Sequence, residues 1–130
     1  MFKNNKTFSS FSTNDLEKAK DFYGNTLGIE TKMGEMGVLE LHLGHGGEAI
    51  VYPKDDHKAA TFTVLNFLVD DVEKAVDELV DKGVKFEQYD MGSGMKTNEK
   101  GIMSNPDGGS IAWFCDPAGN ILSVIEDKGK

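Results

Sequence analysis

The sequence predicts an α+β protein made of paired βαβββ modules, and three observations predict it. First, there is an internal repeat: "NDLEKAKDFYGNT" (14–26) aligns with "DDVEKAVDELVDK" (70–82) at an offset of 56 residues. Asp15 and Asp71, Glu17 and Glu73, Lys18 and Lys74, Ala19 and Ala75, and Asp21 and Asp77 are identical pairs. Second, each copy is preceded by one strand-like run and followed by three. Third, 130 residues suffice for one core but not for two independent ones, so the halves form one domain.

Both repeat copies read as helices. Val72, Ala75, Val76, Leu79 and Val80 recur at helical spacing and make one apolar stripe. Asp70 is the expected cap, Glu73 sits at the positive end of the helix dipole, and Gly83 suits the left-handed residue that stops the helix. In the first copy Leu16, Ala19, Phe22, Tyr23 and Leu27 form the stripe, with Asn14 as cap and Gly28 as stop. The strands expected before the helices are 7–13 and 62–69. Those after them are 31–36, 38–44 and 48–53 in the first half, and 84–89, 110–115 and 121–126 in the second. A short charged linker, 55–60, joins modules of about 1–54 and 61–127. One helix covers one face of each sheet, so combining the two sheets predicts a curved half-open barrel with helices outside and a cavity inside.

Composition narrows the function classes. With 38% hydrophobic and 28% charged residues the chain reads as soluble and globular. A net charge of -8 argues against a nucleic-acid partner, which needs a concentrated basic surface. Cys115 is the only cysteine, so no internal disulfide can form and a reducing compartment is expected. Its place in an apolar strand favours a buried, inert thiol. No stretch approaches membrane-spanning length and the N-terminus lacks an apolar h-region, so a cytoplasmic protein without a membrane partner is expected.

With these features assembled, the chain resembles the vicinal oxygen chelate superfamily, which includes glyoxalase I, extradiol dioxygenases, fosfomycin-resistance enzymes and bleomycin-binding proteins. The stretches that carry the resemblance are "STNDLEKAKDFYGNTLGIE", "VDDVEKAVDELVDKGV" and "WFCDPAGNILSVIE", and it spans nearly the whole chain. The resemblance implies the fold. It implies no single reaction, because the superfamily spans isomerisation, ring cleavage, thiol transfer and drug binding. It also implies where metal ligands would stand: in the first strand of each module, and in the last.

Those positions are Phe8 and Val64 in the first strands, one of Ile50, Val51 or Tyr52 in the fourth, and Ser123 in the last. Divalent cations need carboxylate, imidazole or thiolate donors, so no metal and no cofactor is expected there. Glu126 lies three residues past Ser123, and strand alternation turns it to the opposite face.

Other chemistry-bearing residues have ordinary readings. Glu40 and His42 share a strand face, with His45 and Glu48 nearby, and either a surface histidine or an unconventional metal pair fits them. His57 is expected on the linker surface. "GHGGE" is a turn, lacking the strand-to-helix context of a phosphate cradle. "NPDGG" (105–109) is also a turn, with Pro106 fixing φ and Gly108 supplying a positive one. The weakly patterned segment 89–109 fits either a lid, with Met91, Met95 and Met103 as lining, or plain surface with a short strand near 96–103.

Alternation from the implied ligand positions places Phe8, Ser10 and Ser12, and Val64, Asn66 and Leu68, on the inner faces with Ser123. Trp113 or Phe114 adds an aromatic wall. This describes a small-molecule site with neutral hydrogen-bonding groups better than an acid–base site. The expectation is a metal-independent small-molecule binding protein, with its ligand in the barrel cavity. The alternative is a lyase or isomerase similar to glyoxalase I that uses Glu40 and His42. The resemblance also suggests a homodimer.

Overall fold

The computed structural model describes residues 1–106 and 108–126 and divides the chain into two compact units, Met1–Lys58 and one from Ala59 onward. In the first unit, β1 (Ser9–Thr13) leads into α1 (Leu16–Asp21), followed by β2 (Glu30–Met33), β3 (Leu39–His42) and β4 (Glu48–Pro53). The sheet order is β1-β4-β3-β2, with β1 parallel to β4 and the remaining pairs antiparallel. The second unit repeats this plan. It contains β5 (Thr63–Val69), α2 (Val72–Asp81), β6 (Ile102–Ser104), β7 (Ser110–Cys115) and β8 (Ile121–Glu126), in the order β5-β8-β7-β6. The paired βαβββ plan is therefore present as two open, mixed four-stranded sheets.

Strand alternation gives each sheet one helix-covered face and one helix-free face. In the first unit Phe11, Leu39, Leu41, Ala49 and Val51 are buried beneath the helix with Tyr23, whose ring lies 6.0 Å from that of Phe11. In the second, Val72 and Val76 of α2 are buried, as are Ala112, Phe114, Leu122 and Val124 of β7 and β8, the strands α2 packs on.

Several local features differ from the sequence reading. Both helices start one residue later than Asn14 and Asp70 suggest: Asp15 and Asp71 are the caps, each accepting a backbone hydrogen bond at 3.1 Å, from Lys18 and Lys74 respectively. The aspartates win because an N-cap carboxylate reaches the N–H three residues on from an extended backbone. The first helix has only one regular stretch. From Phe22 to Thr26 it widens into a π turn, with the Leu27 N–H donating to the Phe22 carbonyl at 2.9 Å. Gly28 and Gly83 do take positive φ, +70° and +92°, at the helix ends.

The run 84–89 is not a strand. Its backbone meets β7 at a Phe86–Phe114 bridge and through a Glu87 N–H to Trp113 carbonyl bond of 2.8 Å. Further along β7 the edge is occupied by β6, whose Ile102 pairs with Ala112. Buried Thr97 draws Tyr89 away, accepting from the Tyr89 N–H at 2.8 Å and donating its own N–H to the Tyr89 carbonyl at 2.9 Å. The intervening segment is also tied to α2, through Lys100 to Glu73 at 3.0 Å and Asp77 at 3.2 Å. In the 105–109 turn Gly108 has a φ of +97° and donates to the Asn105 carbonyl at 2.9 Å; Asp107 lies outside the described residues, as does residue 127 of the second module. Among the described residues no helix is long and apolar enough to cross a membrane.

Candidate functional site

Most of the site residues expected from the sequence stand on the helix-free faces, and the sheet register says which side chains stand side by side. In the second unit Ser123 of β8 pairs with Asn66 of β5 on one side and Trp113 of β7 on the other. The next row along is Leu68, Ile125 and Ile111. Ile121 and Cys115 form the row on the other side. Ser123 is fully buried between its neighbours, and its hydroxyl donates to Asn66 Oδ1 at 2.5 Å. Asn66 itself is exposed, so its amide N–H groups face outward as donors. Leu68 keeps 69% of its surface exposed.

An aromatic wall stands on this face. Trp113 meets Tyr89 edge-to-face at 5.2 Å, an arrangement favoured by the ring quadrupoles. Phe114, expected as an alternative wall, points the other way: it is buried on the helix side, paired with Leu122 and 5.3 Å from the Phe86 ring. Consecutive strand residues cannot share a face, so the register assigns the wall to Trp113. Cys115 also stands on the helix-free face, half-buried, with its thiol pushed up by burial and then by the charges of Glu87 and Asp116. Burial, followed by Glu87, likewise raises the Tyr89 hydroxyl. Both groups therefore keep their protons at neutral pH.

The segment "DPAGN" builds the hairpin that delivers β8. The buried Asp116 carboxylate accepts from the Ala118 N–H, the Asn120 N–H and the Asn120 side-chain amide, each at 2.9 Å. Gly119, at a φ of +87°, completes the turn by donating to the Asp116 carbonyl. Glu126 lies on the helix side, where Oε2 accepts from the Val72 N–H at 2.8 Å. Alternation is thus confirmed for that residue: it caps α2 rather than serving the Ser123 face.

The first unit's helix-free face is more polar. Ser10 pairs with Ile50, and Ser12 with Tyr52. The pairing of Ser10 with Ile50 repeats that of Asn66 with Ser123, one module earlier, so Ile50 is the counterpart of Ser123 among the three residues open on sequence. Phe8 precedes β1 and is 66% exposed, while Val64, at a register shift in β5, is half-buried. His57 is a correction to the expected linker surface. It is half-buried, with Nδ1 2.6 Å from the Ser12 hydroxyl. Spacing along the chain could not show this, because the contact joins positions 45 residues apart. At the other end of the face His42 Nε2 lies 3.4 Å from Glu40 Oε1, and register places His42 between Glu30 and Glu48.

The metal implied by the resemblance can be tested against these side chains. Phe8, Ile50 and Val64 have no donor atom, and the Ser123 hydroxyl is buried and committed to Asn66. These residues do not fit a divalent cation. Elsewhere among the described residues, no three histidine, cysteine or carboxylate side chains gather as a metal site would require.

A family model described as the Glyoxalase/Bleomycin resistance protein/Dioxygenase superfamily matches residues 10–124. Similar solved structures include a lactoylglutathione lyase from Agrobacterium tumefaciens, at 18% identity and a TM-score of 0.70, covering 96% of this chain and 95% of that one. A superfamily member from Sphaerobacter thermophilus shares 25% identity at a TM-score of 0.69, covering 94% and 98%. A fosfomycin resistance protein from Listeria monocytogenes shares 13% identity at a TM-score of 0.68, covering 97% and 95%. A search of curated proteins found no significant match.

Proposed function

This chain belongs to the Glyoxalase/Bleomycin resistance protein/Dioxygenase superfamily, and we propose that within it the protein binds an organic small molecule without a metal. The observation that carries the reading is the side chains at the inherited ligand positions: Phe8, Ile50, Val64, and a Ser123 hydroxyl already bound to Asn66. The second unit's helix-free face supports it. There Trp113, Tyr89, Leu68, Ile111 and Ile125 surround the Ser123–Asn66 pair, giving apolar walls with a few oriented polar groups. Ser10 and Ser12 place comparable hydroxyls on the first unit's face. Binding rather than turnover is the reading that suits the central Ser123–Asn66 pair, a hydroxyl and an amide, neither of which moves protons near neutral pH.

The test is elemental analysis of purified protein with Zn²⁺, Ni²⁺, Mn²⁺ and Fe²⁺ titrations, alongside ligand screening by thermal shift. Ligand-induced stabilisation that persists in chelator is the expected result. Stoichiometric metal held at Ser123 refutes it. A homodimer belongs to the same reading and is checked by light scattering, and a cytoplasmic location by fractionation.

The proximity of Glu40 and His42 favours one second reading, a glyoxalase-like lyase or isomerase using these two as unconventional ligands. Two donors fall short of the three that catalytic metal sites supply. Hemithioacetal isomerisation that chelator abolishes and His42→Ala removes supports this second reading; activity that survives both eliminates it.

A further inference from the structure

The helix-free face of the second unit holds a carboxylate with no ion-pair partner among the described residues. Glu87 is half-buried, and after burial its negative charge helps to hold the proton of the nearby Cys115 thiol. Among the described residues no lysine or histidine pairs with it. Its backbone neighbour Trp113 carries the ring that meets Tyr89, and the charge of Glu87 raises the Tyr89 hydroxyl after burial does. The Glu87 backbone is fixed there by its bond to the Trp113 carbonyl at 2.8 Å. A half-buried carboxylate keeps acceptor capacity, and the partner that suits it is a positively charged donor.

Two aromatic rings next to such a carboxylate define what that donor belongs to. Ring faces attract cations, and flat rings stack on them. Anions find no corresponding partner in the strands of this unit. The 14 basic residues of the chain are all lysines, so no guanidinium fork exists to grip a carboxylate or phosphonate in bidentate fashion. None of those lysines lies in β5, β6, β7 or β8. The net charge of -8 raises the local concentration of cations further.

We infer that this face takes a planar aromatic cation, with its ring against Trp113 and Tyr89 and its charged nitrogen on Glu87. The inference rests on the small-molecule reading above and adds the charge of the ligand to it. Ser123 and Asn66 complete the site: with Asn66 Oδ1 occupied by the serine, the amide offers donors to a carbonyl or ring nitrogen on the ligand's far edge.

Three tricyclic probes of nearly equal shape test this by titration calorimetry on the full chain: proflavine as cation, acridone as neutral ring, and acridine-9-carboxylate as anion. Proflavine is expected to bind at least about tenfold tighter than acridone, the range that a cation–π contact with a partly buried ion pair supplies. Glu87→Gln should abolish that preference while leaving acridone affinity within about twofold, and Trp113→Ala should weaken both probes. Unchanged near-ultraviolet circular dichroism of Glu87→Gln shows that its fold is intact. Proflavine binding that ignores Glu87→Gln, or an anion bound as tightly as the cation, overturns the inference while acridone binding keeps the broader reading. Failure of all three probes overturns both.

Discussion

The Asp116 turn makes the sharpest stability prediction, because one buried carboxylate holds three donors. Asp116→Ala removes the acceptor for the Ala118 N–H, the Asn120 N–H and the Asn120 amide, all at 2.9 Å. A hydrogen bond to a charged group contributes about 1.5–3 kcal/mol, and a buried donor left unmade costs about 1–3 kcal/mol. Ala118 is only half-buried, so its N–H can turn to water, while Asn120 is buried and cannot. The expected loss is therefore about 3–4 kcal/mol, dominated by the two Asn120 donors. At about 4 °C per kcal/mol for a chain of this size, Tm should fall by about 12–16 °C. Asp116→Asn retains one carbonyl oxygen for the two backbone donors but turns an NH₂ toward Asn120 Nδ2, so about half that loss is expected. Thermal and urea denaturation followed by circular dichroism measure both. A fall under about 3 °C for Asp116→Ala refutes the reasoning, since it shows that the turn's donors are rehydrated at little cost.

Phe114→Ala should cost about 3–5 kcal/mol in urea denaturation, as expected for emptying the space between α2 and the sheet, whereas Trp113→Ala on the open face should cost much less and act on ligand binding instead. Cys115, with its thiol raised by burial and by Glu87, should react slowly with a disulfide reagent at pH 8, and Glu87→Gln should speed the reaction by removing the nearby negative charge. The same shift has a linkage consequence. The folded protein holds the Cys115 proton more tightly than the unfolded chain, so its contribution is present below the ordinary thiol pKa and lost as pH rises through the raised one. Denaturation from pH 8 to pH 10 should show that loss, and Cys115→Ser should reduce it. His57→Ala and Ser12→Ala should each lower stability by about 1 kcal/mol and the double variant by little more, because they share one hydrogen bond.

Much of this molecule is legible from local pattern. The repeated helix stripes, Gly28 and Gly83, the "DPAGN" turn and strand 48–53 are signals carried by neighbouring residues, and they appear where such signals place them. The errors also have local causes. Asn14 precedes Asp15, and Asp70 precedes Asp71, so two good caps compete at each helix start and the sequence offers no way to choose. The run 84–89 has the alternation of a strand, yet strand formation depends on a free partner edge, and β6 already holds the rest of β7.

What the sequence determined by itself is the scaffold, from the repeat and its periodicity, and the residue types that stand at the positions the family resemblance implies for metal ligands. What only the tertiary structure decided is which side chains meet. Ser12 and His57 are joined across a long separation; Trp113 rather than Phe114 faces the open side; and Glu87 is bonded through its backbone to Trp113, with no cation paired to it among the described residues. The physical reason is register: a shift of one residue reverses every side chain on a strand, and register is settled by pairing between distant segments.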